Sequence, residues 1–83
     1  MKIHWYEGSK NIIGNRVREA RNKANPIITQ ADLSARLEIV GFKIDRVSIC
    51  KIESGDRFVA DYEVVALAKA LKVSVGWLLE ELI

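Results

Sequence analysis

The chain has very little cysteine, proline, histidine or aromatic content. Its 83 residues include one cysteine, one proline, one histidine and six aromatic side chains. A lone cysteine forms no intrachain disulfide, and with a single histidine it leaves no Cys/His cluster to hold zinc. The proline and the few glycines are scattered, so there is no flexible linker, low-complexity tract or internal repeat. The longest apolar run, Val64–Ala68, falls far short of the ~18 residues of a membrane span. The opening MKIHWYEGSK lacks the apolar stretch of a secretory signal, so the cytoplasm is the expected compartment. His4 has no partner with which to build a catalytic or metal-ligating set. An enzyme is therefore the least expected class, and no cofactor is expected.

What is present is a largely aliphatic apolar fraction of 49%, enough for one small core and too much for a disordered chain. A chain of this size buries only ~60% of its unfolded surface, so a single domain is expected. The net charge of +2 is unevenly spread: residues 1–57 hold 11 Lys/Arg against 7 Asp/Glu, and residues 58–83 hold 2 against 4. The basic portion is the candidate face for a polyanion; scattered charge on solvated faces explains the same numbers.

Residues 1–11 show no clear period and are expected to form an arm, with 12–83 as the folded domain. His4, Trp5 and Tyr6 in that arm are expected to pack on the body or to stay disordered, with stacking on a base as the competing reading. Five helical segments follow. Ile13, Val17, Ala20 and Ala24 form one amphipathic stripe, which Asn25-Pro26 ends, because the residue before proline is pushed out of helical geometry. Thr29, with Asp32 three residues on, signals a capping box. The stripe Leu33, Leu37, Val40 then leads to a stop at Gly41. Asp45 and Gly55 bracket a third helix. Asp61 is the expected cap of a fourth, with Val64, Leu67, Ala68 and Leu71 on its inner face. Ser74 caps a fifth, with Val75, Leu78, Leu79 and Leu82 as its stripe. The short connections predict a compact all-α five-helix bundle.

The run FKIDRVSICKIESG, residues 42–55, is the one ambiguous stretch. Phe42-Lys43-Ile44-Asp45 alternates like a strand, but an isolated strand has no ladder for its backbone groups. The helix bracketed by Asp45 and Gly55 is the better reading. Stepping ~100° per residue turns Ile49, Ile52 and Glu53 inward. Val47, Lys51 and Ser54 then face outward, with Arg46 in the first turn and Ser48 and Cys50 on the flanks. Such a short, mildly basic and partly apolar face suits the DNA major groove, where Arg46 or Lys51 would donate to guanine and Val47 would touch a thymine methyl. An ordinary solvated surface is the competing explanation. Cys50, beside Lys51 and Arg46, is either a small flanking side chain or a thiolate-type sensor that has no resolving cysteine.

Arg16–Arg21 (RVREAR), Thr29–Leu37 (TQADLSARL) and Val47–Gly55 (VSICKIESG) resemble, in that order, the lambda repressor/Cro-type (XRE) helix-turn-helix family. Val64–Leu79 (VVALAKALKVSVGWLL) resembles that family's last two helices. The likeness covers about residues 12–79. It implies a lambda repressor-like bundle in which 45–54 is the recognition helix. It also implies backbone phosphate contacts from Gln30, Thr29, Ser54 and Arg57, and a largely buried salt bridge between Arg21 and Glu53. About five extra residues, spanning Glu38–Ile44, lengthen the family's tight turn. Phe42 and Ile44 are expected to be pinned to the core there, and Lys43 is a candidate phosphate contact. Pro26-Ile27 is a smaller insertion.

The expected function is that of a sequence-specific, double-stranded DNA-binding transcriptional regulator, a repressor acting as a homodimer. Arg46, Val47, Cys50 and Lys51 would read bases, while Thr29, Gln30, Lys43, Ser54 and Arg57 would meet phosphates. The alternative is a protein-interaction module, such as an antitoxin-like partner that also binds DNA. Trp77-Leu-Leu-Glu-Glu-Leu-Ile83 would then be its exposed apolar end.

Overall fold

A computed structural model of the chain describes residues 8–79. The expectations for His4, Trp5, Tyr6, Leu82 and Ile83 lie outside the described residues. Five helices are formed among those described: α1 (Gly14–Lys23), α2 (Gln30–Ile39), α3 (Arg46–Ser54), α4 (Asp61–Leu71) and α5 (Val75–Leu78). None is long and apolar enough to cross a membrane.

Local chemistry explains most of the boundaries, because each helix start leaves amide donors that need acceptors. Thr29 Oγ1 accepts from Asp32 N and an Asp32 carboxylate oxygen accepts from Thr29 N, both at 3.0 Å, which closes the capping box of α2. Asp45 Oδ1 accepts from Ser48 N at 2.7 Å to start α3, and Ser74 Oγ accepts from Trp77 N at 3.0 Å to start α5. α4 departs from expectation. Its N-cap is Ala60, and Asp61 is already the first helical residue. The Glu63 carboxylate reaches back to accept from Ala60 N at 2.9 Å, so the acid two residues further on satisfies the entry that Asp61 was expected to cap.

The stops are equally local. Gly41 (φ 94°) and Gly55 (φ 84°) take the left-handed backbone that glycine tolerates without a Cβ penalty. Phe42 N then donates to Leu37 O, and Asp56 N to Lys51 O. α1 ends at Lys23, just before Asn25-Pro26, whose peptide bond is cis.

The core is built from Ile13 and Val17 of α1's edge, Leu33 and Leu37 of α2, Ile49 and Ile52 of α3, Leu67 of α4 and Leu78 of α5. α1 and α2 both pack on α3, α4 packs on α1 and α2, and α5 closes against α4. The expected α2 stripe fails at its last member. Val40 is 46% exposed because the helix ends at Ile39 and the chain turns at Gly41, so the helical spacing no longer carries Val40 inward. The turn between α2 and α3 instead anchors itself through Ile44, which is buried, and through Phe42, which is half-buried against the core. Ser34 Oγ donates to Ile44 O at 2.8 Å and fastens the loop to α2.

The segment expected to be an arm is engaged at its described end. Lys10 N donates to Gly55 O at 2.9 Å. Asn11 Nδ2 donates to Ile52 O and Arg57 O at 3.0 and 2.9 Å, while its Oδ1 accepts from Ile13 N and Gly14 N. One side chain thus clasps the end of α3 and caps the entry to α1. The two helices approach so closely here that a Cβ at Gly14 would collide with the Ile52 carbonyl and stand 2.9 Å from that of Glu53.

Candidate nucleic-acid interface

α3 separates cleanly into two faces. Ile49, Ile52 and Glu53 are buried, whereas Arg46, Val47, Cys50, Lys51 and Ser54 are exposed and Ser48 lies between. The inner face is fixed by more than apolar packing. Glu53, with its side chain 1% exposed, accepts from Arg21 Nε at 2.7 Å and Arg21 Nη2 at 2.8 Å in a two-pronged pairing. Gln30 Nε2 adds a third donor at 3.1 Å, and Arg18 Nε lies 3.5 Å away. Arg21 uses its remaining prong on Ile28 O at 3.1 Å. A buried charge demands such complete satisfaction, since its desolvation must be offset by short, charge-assisted bonds. Burial works against the ionised Glu53. The hydrogen bonds from Arg21 and Gln30, with the positive field of Arg21 and Arg18, outweigh it and hold its pKa below the ordinary glutamate value.

The consequence is orientational. Donors from α1 and from the first residue of α2 meet on one carboxylate of α3, so the rotation of α3 about its own axis is pinned from two neighbours. The N-terminal end of α3 is set by Asp45, whose carboxyl is held below its usual range. The cause is chiefly hydrogen bonding with Ser48, with Lys51 and Arg57 adding positive field.

On the outer face, Arg46 and Lys51 carry charge that forms no hydrogen bond or ion pair among the described residues, and the same is true of Lys43 on the preceding loop. Val47 is 53% exposed and Cys50 is a free, exposed thiol between them. The five side chains expected to meet phosphates differ in their engagement. Thr29 is exposed at the N-terminus of α2, with its hydroxyl occupied in the cap. Ser54 Oγ donates to Lys51 O at 3.1 Å within its own helix. Gln30 is turned toward Glu53. Arg57 forms a two-pronged pair with Glu63, at 3.2 and 3.1 Å, and reaches Phe58 O as well. Of these five, Lys43 alone carries a cation with no hydrogen bond or ion pair among the described residues.

Asn11 is the residue that sequence reasoning missed. It is placed in the arm by its lack of periodicity, yet it is the side chain that ties the end of α3 to α1. The signal was there, since an Asn just ahead of an apolar-periodic run is a helix-start residue. The bonds to Ile52 and Arg57 span more than forty positions and leave no trace in local pattern. No protein-family model, curated protein or solved structure matches this chain.

Proposed function

We propose that this chain is a sequence-specific, double-stranded DNA-binding transcriptional regulator of the lambda repressor/Cro type, working as a homodimer with α3 as its reading helix. The observation that carries the reading is the division of α3. Its inner face is locked by a buried carboxylate with three donors, and its outer face offers the side chains of Arg46, Val47, Cys50 and Lys51 with no hydrogen-bond or ion-pair partner among the described residues. A helix of this size fits the major groove, where guanine O6/N7 takes cationic donors and thymine offers a methyl. Arg46 and Lys51 supply the donors; Val47 and Cys50 supply small, weakly polar contact.

Phosphate contacts set register without specifying sequence. The N-terminus of α2, capped by Thr29, presents backbone donors and the positive end of the helix dipole. Ser54 and Lys43 flank the reading face. Gln30 and Arg57 enter this scheme only through donors left over from Glu53 and Glu63, and each is held in a fixed pose by its internal partner. Two-fold related subunits would place their reading helices about one turn of DNA apart.

Fluorescence anisotropy on duplexes selected from a random pool tests the reading. Affinity should fall steeply with added salt, because phosphate contacts release counterions. Lys51→Ala should cost on the order of 1–3 kcal/mol on the preferred duplex and little on others, whereas Lys43→Ala should weaken all duplexes alike. Salt-independent, featureless titrations on every duplex would sink the proposal.

A further inference from the structure

α4 carries a second solvent-facing surface, separate from the reading helix. Asp61, Tyr62, Val65 and Lys69 are its exposed residues. At ~100° per residue they share one stripe about 100° wide. The end of α2 lies alongside, with Ile39 85% and Val40 46% exposed, and the ring of Phe42 stacks on that of Tyr62 with centroids 6.1 Å apart. Between them opens an apolar groove of about 300 Å³, walled by Val40, Phe42, Tyr62, Val65, Ala66 and Lys69. A contiguous apolar surface rimmed by charge is the mark of an interaction site rather than of scattered exposed side chains.

The order of charge along the stripe identifies the occupant. Asp61 stands four residues before Val65 and Lys69 four residues after it, about 6 Å to either side along the helix axis. Lay two copies of α4 antiparallel about a two-fold axis through Val65, and each Asp61 meets the partner's Lys69. The apolar centre then closes on itself. A closed dimer requires a patch that is complementary to its own rotated image, and this stripe has that property. The Asp61 carboxylate accepts one local bond, from Tyr62 N, and the Lys69 ammonium forms no hydrogen bond or ion pair among the described residues, so both are available. The apolar end that begins at Trp77, the alternative interaction surface, is engaged with the core over its described residues. Trp77 is half-buried against the core, with the Arg16 guanidinium 4.5 Å above its ring.

We propose that the α4 stripe and the adjoining α2 end are the docking surface for a second copy of this chain, in antiparallel two-fold register at Val65. This gives the homodimer of the proposed function its interface, while standing on the surface of α4 and the α2 end and not on the DNA reading. The turn lengthened by Glu38–Ile44 supplies one wall of the groove, through Val40 and Phe42.

Sedimentation and light scattering on the full chain test it, with circular dichroism to verify folding. The wild type should be dimeric at micromolar concentration, and Val65→Asp, at an exposed position, should be a folded monomer. Asp61→Lys and Lys69→Asp should each weaken association about tenfold, the size expected when two surface pairs per dimer become repulsive. The double exchange Asp61→Lys/Lys69→Asp should restore it. A small apolar ligand or an unrelated protein in the groove would not require that reciprocal rescue. A wild-type chain still monomeric at millimolar concentration, a Val65→Asp dimer, or a double exchange without rescue would each overturn the proposal. Duplex binding is measured separately: a dimer that binds no DNA refutes the DNA reading only, and a monomer that binds DNA refutes this interface only.

Discussion

Replacing Glu53 with Gln keeps the shape of the side chain and removes its charge, leaving the Arg21 guanidinium buried without a counter-ion. Breaking one half of a buried pair in this way costs ~3–5 kcal/mol, which urea unfolding will read directly. The same residue gives the protein an acid limb. Because the folded Glu53 has a pKa below its ordinary value, the folded state binds that proton less readily than the unfolded chain. Its contribution is complete above the unfolded value, near 4.3, and is lost as pH falls through the depressed folded value. Unfolding midpoints should therefore drop below about pH 4 in the wild type, and the drop should be shallower in Glu53→Gln. Gly14 offers a second residue-scale test. Gly→Ala inside an exposed helix normally gains ~1 kcal/mol. Here the added methyl meets the carbonyls of Ile52 and Glu53, so Gly14→Ala should destabilise, and thermal melts should fall rather than rise.

At the scale of elements, the physics that set the helix limits was mostly written in neighbouring residues. Thr29 with Asp32, Asp45, Ser74, Gly41 and Gly55 each act within four positions of themselves, and their roles could be read before any packing was known. The misses have the opposite cause. Asp61 looks like a cap on its own, but Glu63 wins the Ala60 amide. Glu63 is itself steadied by Arg57, six residues earlier and off the helix. Val40 fits a helical stripe only if the helix continues, and the turn at Gly41 stops it. Asn11 and Gln30 owe their roles to distant partners, which periodicity does not encode. The α3 cap yields its own prediction. Asp45 is depressed by its hydrogen bonding with Ser48, so acidification through that depressed value protonates the cap and releases the first turn. Amide exchange at Val47 and Ser48 should accelerate with falling pH beyond its intrinsic trend, and Asp45→Asn should largely abolish the effect.

At the scale of the whole molecule, the described residues form one core shared by their five helices, with α1, α2 and α3 further joined at one carboxylate. A domain of this size without a second core should unfold in one cooperative step. In a Trp5→Phe background, Trp77 fluorescence on α5 and helical circular dichroism should trace the same urea curve. A separation of the two midpoints would mean that α5 opens alone. The division of α3 has a further meaning at this scale. The side chains of Arg46, Val47, Cys50 and Lys51 form no hydrogen bond or ion pair among the described residues, while Ile49, Ile52 and Glu53 hold the helix in place. If α3 reads DNA as proposed, its four outward positions form an alphabet whose letters can be exchanged while the page stays bound, so new recognition would arise here by substitution without a compensating change in the core.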